Sequence, residues 1–245
     1  MENYDDILAA SDGVIIVRSE LALEFPLEKV YVAQKWMIEK ANLAGKPVIV
    51  STQTLDSMVK APRPTRAEAT DLANCILDGV DCIHLTDEVS KGDYPINAVT
   101  CLGRIAVETE KTLNHKKIYN DILEYTPTPV PNAEAMAQTV CLSLIENQDV
   151  TLIVNMTESG KLPRMISKYR PAVKVLSTAH DNVLRSMAPL RGVQNFQHPD
   201  IESENAIKYM IEEAKVMKLC KIGDKIAIVT SKNDDQENEV NDFKL

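Results

Sequence analysis

The chain has 245 residues, 44% of them hydrophobic and 26% charged, with a formal net charge of -9. These values suit one large soluble domain or two modest ones with ample material for buried cores. The acidic balance argues against a general nucleic-acid binder or a binder of anionic membranes, although a local phosphate site needs only a few donors. No apolar run approaches the roughly 18 residues needed to span a bilayer. The opening Met1–Asp6 is acidic and polar, unlike a signal or transit peptide. Cys75, Cys82, Cys101, Cys141 and Cys220 are odd in number and scattered, with no C-x-x-C pair. They read as reduced thiols in a cytoplasmic protein rather than as a disulfide framework.

In chain order, the strands expected are Gly13–Val17, Pro47–Ser51, Asp81–Leu85, Thr151–Asn155, Val173–Ser177, Gly192–Phe196 and Lys225–Thr230. Continuous apolar runs such as Val14-Ile-Ile-Val17 fit parallel strands buried on both faces. Helical patterns lie between them. Thr65 with Glu68 reads as a capping box opening a helix through Leu77, which Gly79 is placed to stop. Asn132 before Ala-Glu-Ala is another expected cap. Ile201, Ala206, Ile207, Met210, Ile211, Ala214 and Met217 form one apolar stripe at helical spacing. The alternation implies a mainly parallel α/β protein.

The pattern breaks at His115–Asn132, which is polar and carries Pro127, Pro129 and Pro131. Prolines there stop a helix, so a domain boundary is expected, dividing 1–117 from 118–232. The remainder, 233–245, is an acidic tail expected to be solvated.

Three segments carry a more specific signal: Lys46-Pro-Val-Ile-Val-Ser-Thr-Gln-Thr54, Pro62-Arg-Pro-Thr-Arg-Ala-Glu68 and Lys91-Gly-Asp-Tyr-Pro95. In this order and spacing the chain resembles the last three strand–helix units of the pyruvate kinase barrel, followed by the C-terminal regulatory domain of that family. The resemblance implies a partial (β/α)8 barrel with chemistry at the C-terminal strand ends, then an α/β domain. The family reaction is phosphoryl transfer from phosphoenolpyruvate to ADP, with Mg2+ and K+.

Site residues follow only as the resemblance implies. At the first strand end the family pattern is Ala-Arg-Gly-Asp-Leu-Gly. Here Ser19, Glu20 and Ala22 replace the first Gly, the metal-binding Asp and the second Gly. Glu20 is a candidate metal ligand, or a surface carboxylate left from an ancestral site. At the second end, Thr52 falls on the threonine whose hydroxyl contacts the substrate carboxylate. At the third, Thr86 occupies the place of a proton-relay serine, and Asp87 replaces a glycine with a charge of the wrong sign for an anionic substrate. His84 just before it is expected to be a packed residue.

Farther on, Thr157, Ser159 and Gly160 match a loop that holds a phosphate of a sugar bisphosphate, with Leu162 and Pro163 in place of Thr-Ala. The alternative is that Ser159 merely caps the following helix. The acidic tail stands where relatives continue into a glycine-rich effector loop and a last strand, so effector control of the usual kind is not expected.

The catalytic Lys, a second metal carboxylate, the ADP-side Arg and the K+ ligands belong in this family to earlier strands, which the resemblance does not reach. No resident cofactor is therefore expected for the chain alone. Two readings stay open: a non-catalytic structural or binding relative, or the C-terminal piece of an active enzyme. The Met1 start and the changes at Ser19, Glu20 and Asp87 favour the first. A half-open barrel exposes edge strands and apolar faces, so a covering protein partner or a second copy is expected.

Overall fold

The computed structural model describes residues 1–197, 205–231 and 239–244. It divides into two compact units, Met1–Leu113 and the residues from Asn114 onward.

In the first unit, α1 (Tyr4–Ala10) leads to β1 (Val14–Val17), then α2 (Arg18–Glu24) and α3 (Leu27–Leu43). β2 (Val48–Ser51), α4 (Arg66–Asp78), β3 (Cys82–His84), α5 (Asp87–Ser90) and α6 (Pro95–Glu110) follow. The strands form one parallel sheet in the order β1-β2-β3, with Val17, Ser51 and His84 level at their C-terminal ends. Ile16, Val48 and Val50 face the helices and pack with Tyr4, Leu8, Ile38, Ala41 and Cys75. Alternate residues point the other way, as the two-residue period of a strand requires.

The start of α4 is the capping box read from the sequence: Glu68 N–H donates to Thr65 Oγ1 at 3.3 Å, and Glu68 Oε2 accepts from Thr65 N–H at 2.7 Å. Gly79 ends that helix at φ +101, where a Cβ would lie 2.3 Å from Asn42 Nδ2. The five cysteines form no disulfide.

The second unit runs α7 (His115–Tyr125), α8 (Asn132–Glu146), β4 (Val150–Thr157), α9 (Lys161–Lys168), β5 (Lys174–Thr178), α10 (Asp181–Met187) and β6 (Val193–Asn195). It continues through α11 (Ala206–Val216), β7 (Lys225–Ser231) and β8 (Glu239–Lys244). The sheet order is β6-β5-β4-β7-β8, parallel except for the β7–β8 pair. Val140, Leu144, Ile153, Leu162, Ile166 and Val229 share the core on one face, and Leu152, Val154, Leu176, Met210 and Ile228 the core on the other. A sheet covered on both faces explains why its strands read as apolar runs.

Three details differ from the sequence expectation. Residues 115–125 are helical, because Asn114 accepts the Lys117 N–H at 3.0 Å and the prolines begin only at 127. Pro131 takes the N-cap place of α8, so Asn132 is the first helical residue and makes no side-chain cap. The tail is not wholly solvated coil: 239–244 form β8, whose backbone pairs with β7 from Lys225↔Lys244 to Thr230↔Glu239. An edge strand draws its stability from the neighbour's hydrogen bonds, so its own composition signals it poorly. Ile201, the place of the effector loop and the rest of the tail lie outside the described residues.

Candidate active site

The polar side chains of the first unit gather where the three parallel strands end. β1 passes directly into α2, which buries Arg18 at the junction with 6% exposure. Its Nε donates to Thr52 O at 3.1 Å, one Nη to Asp71 Oδ2 at 2.5 Å and the other Nη to Gln53 O. Thr52 and Gln53 both have left-handed backbone, φ 66 and 49. Non-glycine residues in that region carry strain of order 1–3 kcal/mol and persist only where their surroundings hold them. Arg18 is one such hold, since it bonds both carbonyls.

Glu88 holds the two residues that follow, Thr54 and Leu55. It is fully buried, and its Oε1 accepts from Thr54 Oγ1 at 2.5 Å and from Leu55 N–H at 2.8 Å. Its Oε2 accepts from Thr86 N–H at 2.8 Å. Burial pushes its carboxyl up, but the bonds from Thr54, Leu55 and Thr86, with its own amide, bring it below the ordinary value. One carboxylate thus ties the β2 loop to the β3 loop. Asp56, on the 3-10 turn Asp56–Val59, is pushed up by desolvation and then by the carboxylates of Glu88 and Glu68.

The residues expected from the sequence lie among these. Ser19 N–H donates to Thr52 Oγ1 at 3.0 Å, and Thr52 Oγ1 in turn donates to Ser51 O at 2.6 Å. The structure therefore brings Ser19 and Thr52 together. Thr86 sits at the end of β3 with its amide and hydroxyl on Glu88. Glu20 is exposed on α2. Asp87 is exposed and pairs with Lys91 at 3.1 Å. His84 is exposed rather than packed, with its Nδ1 2.9 Å from Ser51 Oγ. Its strand position turns it away from the helices.

Arg18, Glu88 and Thr54 carry the geometry, yet sequence reasoning gave them no role. A charged residue ending an apolar run, as Arg18 does, was the available signal.

In the second unit, Thr157 Oγ1 accepts from Gly160 N–H at 3.0 Å and Ser159 Oγ from Lys161 N–H at 3.2 Å. Gly160, at φ 77, is the N-cap of α9, so Ser159 sits just outside the cap position. Leu162 is fully buried in the core, which is why the sequence places an apolar residue there.

These features define a class: a three-strand stretch of a parallel (β/α) barrel with polar groups at its C-terminal strand ends, and a second, mainly parallel α/β domain. The chain belongs to the pyruvate kinase family. The family model described as pyruvate kinase, barrel domain, matches residues 1–99, and that for pyruvate kinase, alpha/beta domain, matches 134–244. The pyruvate kinase of Eimeria tenella is 40% identical over 229 residues, covering 93% of this chain and 43% of the relative. The cytosolic isozyme of Glycine max is 37% identical over 245 residues, covering 91% and 48%. A solved Cryptosporidium parvum pyruvate kinase in complex with ADP matches with a TM-score of 0.92 at 37% identity, covering 99% of this chain and 49% of that one. The chain spans about half the length of the curated relatives it matches. Among the described residues no helix is long and apolar enough to cross a membrane.

Proposed function

We propose that this chain carries the substrate-carboxylate side of a pyruvate kinase-type site and does not transfer a phosphoryl group by itself. The observation that supports this is the charge at the three strand ends. Phosphoryl transfer needs cations around the transferring group. Here the Arg18 guanidinium is buried on two carbonyls and Asp71, and Lys91 pairs with Asp87. The charged groups beside them, Glu20, Asp56 and Glu88, are acids, and farther along the loop after β2 Lys60 pairs with Asp93 while Arg63 precedes α4.

Members of the family use Mg2+ and K+. Mg2+ prefers octahedral oxygen ligands and is held by one or two carboxylates together with substrate phosphates. Among the described residues no group of three His, Cys, Asp or Glu is placed to hold a metal ion. Glu20, one exposed carboxylate, does not fit a resident metal, and no step is assigned to one. On this reading the chain acts as a structural or binding component in the cytoplasm, where the cytosolic isozymes among its relatives are named.

A second reading has its own support. Thr52 and Gln53 are held in left-handed backbone by Arg18, and Glu88 fixes the next two residues. Strain held this firmly is the mark of a preorganised site, which fits the C-terminal part of a working pyruvate kinase. A coupled assay of pyruvate formation separates the two. The purified chain with phosphoenolpyruvate, ADP, Mg2+ and K+ should stay at background, whereas turnover abolished by Thr52→Ala overturns the first reading.

A further inference from the structure

Ser51 and His84 face each other across β2 and β3, where the register sets them level at the strand ends. Ser51 Oγ lies 2.9 Å from His84 Nδ1, and Ser51 is only 3% exposed. That hydrogen bond can run in either direction, and each direction fixes a different tautomer of the ring. If Nδ1–H donates, the Ser51 hydroxyl proton finds no acceptor among the described residues, and a buried donor left without a partner is costly. If Ser51 donates, its proton is satisfied and the neutral ring carries its own proton on Nε2. The second arrangement is therefore the stable one. It makes His84 Nε2–H a donor aimed away from Ser51, with no hydrogen bond of its own among the described residues.

The neighbouring hydroxyls are already committed. Thr52 Oγ1 accepts from Ser19 N–H at 3.0 Å and places its one proton on Ser51 O at 2.6 Å. Thr86 Oγ1 lies 3.4 Å from Glu88 Oε2, which also holds the Thr86 amide at 2.8 Å. We infer that His84, through Nε2–H, is the side chain that binds a ligand carboxylate at these strand ends, in the part the resemblance gives to Thr52. The inference rests on the reading above that the chain carries the carboxylate side of the site. A carboxylate oxygen is the acceptor that gains most from such a donor, because a hydrogen bond to a charged group is the stronger kind. The surrounding acids weaken the contact only in part. Glu88 is held by Thr54, Leu55 and Thr86, and Asp87 pairs with Lys91. That leaves Glu20 and Asp56, both exposed and screened by salt. The affinity expected is modest, roughly millimolar.

Titration of the full chain with pyruvate, without metal, tests this by calorimetry and by the His84 ring signals in a long-range proton–nitrogen NMR spectrum. The free chain should show the Nε2–H tautomer, and pyruvate should shift the Nε2 signal. His84→Leu should weaken binding about tenfold or more, whereas His84→Gln, whose amide can donate from a similar place, should recover much of it. Ser51→Ala should mix the two tautomers and weaken binding. Methyl pyruvate, which lacks the charge, and inorganic phosphate should not compete. An Nδ1–H tautomer in the free chain, or competition by methyl pyruvate or phosphate, would overturn the inference. Pyruvate binding that survives His84→Leu would overturn it while sparing the reading it rests on, and no pyruvate binding at all would remove both. None of these readouts uses turnover, so the coupled assay judges the chain's inactivity separately.

Discussion

Arg18 and Asp71, 53 positions apart in the chain, form an ion pair that fastens the end of β1 to α4. The guanidinium side is 7% exposed and the carboxylate side 43%, so the two halves of the pair are unequal in value. Arg18 also satisfies the carbonyls of Thr52 and Gln53, which lose that partner if it is removed. Arg18→Ala should therefore destabilise the first unit by about 2–4 kcal/mol, and Asp71→Asn by only about 1 kcal/mol. Trp36, the single tryptophan, packs in this unit at 5.2 Å from the Tyr4 ring, so its fluorescence in urea reads the loss. Equal effects for the two substitutions would show that the carbonyl contacts contribute nothing.

Glu88 gives the first unit an acid-sensitive lock. Its folded carboxyl lies below the ordinary value despite burial, and hydrogen bonds from Ser57 and Thr65 likewise outweigh burial and lower Glu68. A lowered folded pKa contributes stability above the unfolded carboxylate value of about 4.3, and that contribution is lost as pH falls through the folded value. The Trp36 urea midpoint should fall as pH drops below about 4.3. Glu88→Gln should cost about 1–3 kcal/mol at neutral pH and flatten that acid decline, with Glu68 responsible for what remains.

Alkaline pH acts on the same unit in the opposite sense. Burial and then Asp5 raise Tyr4 to about 12, and burial and then Asp71 raise Cys75 to about 11. The native state keeps these protons while the unfolded chain loses them, so stability is lost as pH rises from the unfolded values through about 11 and 12. Tyr4→Phe also loses the 2.9 Å bond to Met37 O, which lowers stability at neutral pH, but its slope above pH 10 should be shallower. An unchanged slope would place the alkaline loss elsewhere.

In the second unit, Lys168 and Glu134 form a buried ion pair between α9 and α8, and Tyr169 Oη donates to Glu134 Oε1 at 2.9 Å. Lys168→Met leaves a carboxylate without its cation and should destabilise the unit by about 3–5 kcal/mol. The double variant Lys168→Met with Glu134→Met should recover much of this, because a packed apolar pair often replaces a buried ion pair at little cost. Near-ultraviolet circular dichroism of the packed Tyr119–Tyr169 rings, 5.5 Å apart, reports this unit.

Glu20 stands alone and exposed on α2, so it should bind Mg2+ or Mn2+ no tighter than roughly millimolar. Calorimetric titration of the chain, with Glu20→Ala as control, measures this directly. Micromolar binding lost in the variant would make Glu20 a metal ligand.

By itself the sequence determined the features whose causes are local. The capping box of Thr65 and Glu68 acts over three residues and Gly79 meets a single left-handed φ, whereas the Val14–Val17 run, read as buried on both faces, buries Ile16 and leaves Ile15 58% exposed. The quoted motifs carried the family. Only the tertiary structure decided which groups hold the site. Arg18 meets Gln53 and Asp71 across 35 and 53 positions, and Glu88 meets Thr54 across 34. In the sequence each of these charges reads as a solvated surface group. Folding brings the ends of β1, β2 and β3 level and removes the water, so each charge is left to bond the backbone and side chains of the neighbouring loops. The strand at 239–244 belongs with them: a polar tail becomes ordered because β7 offers it an edge, and no property of those six residues alone supplies that partner.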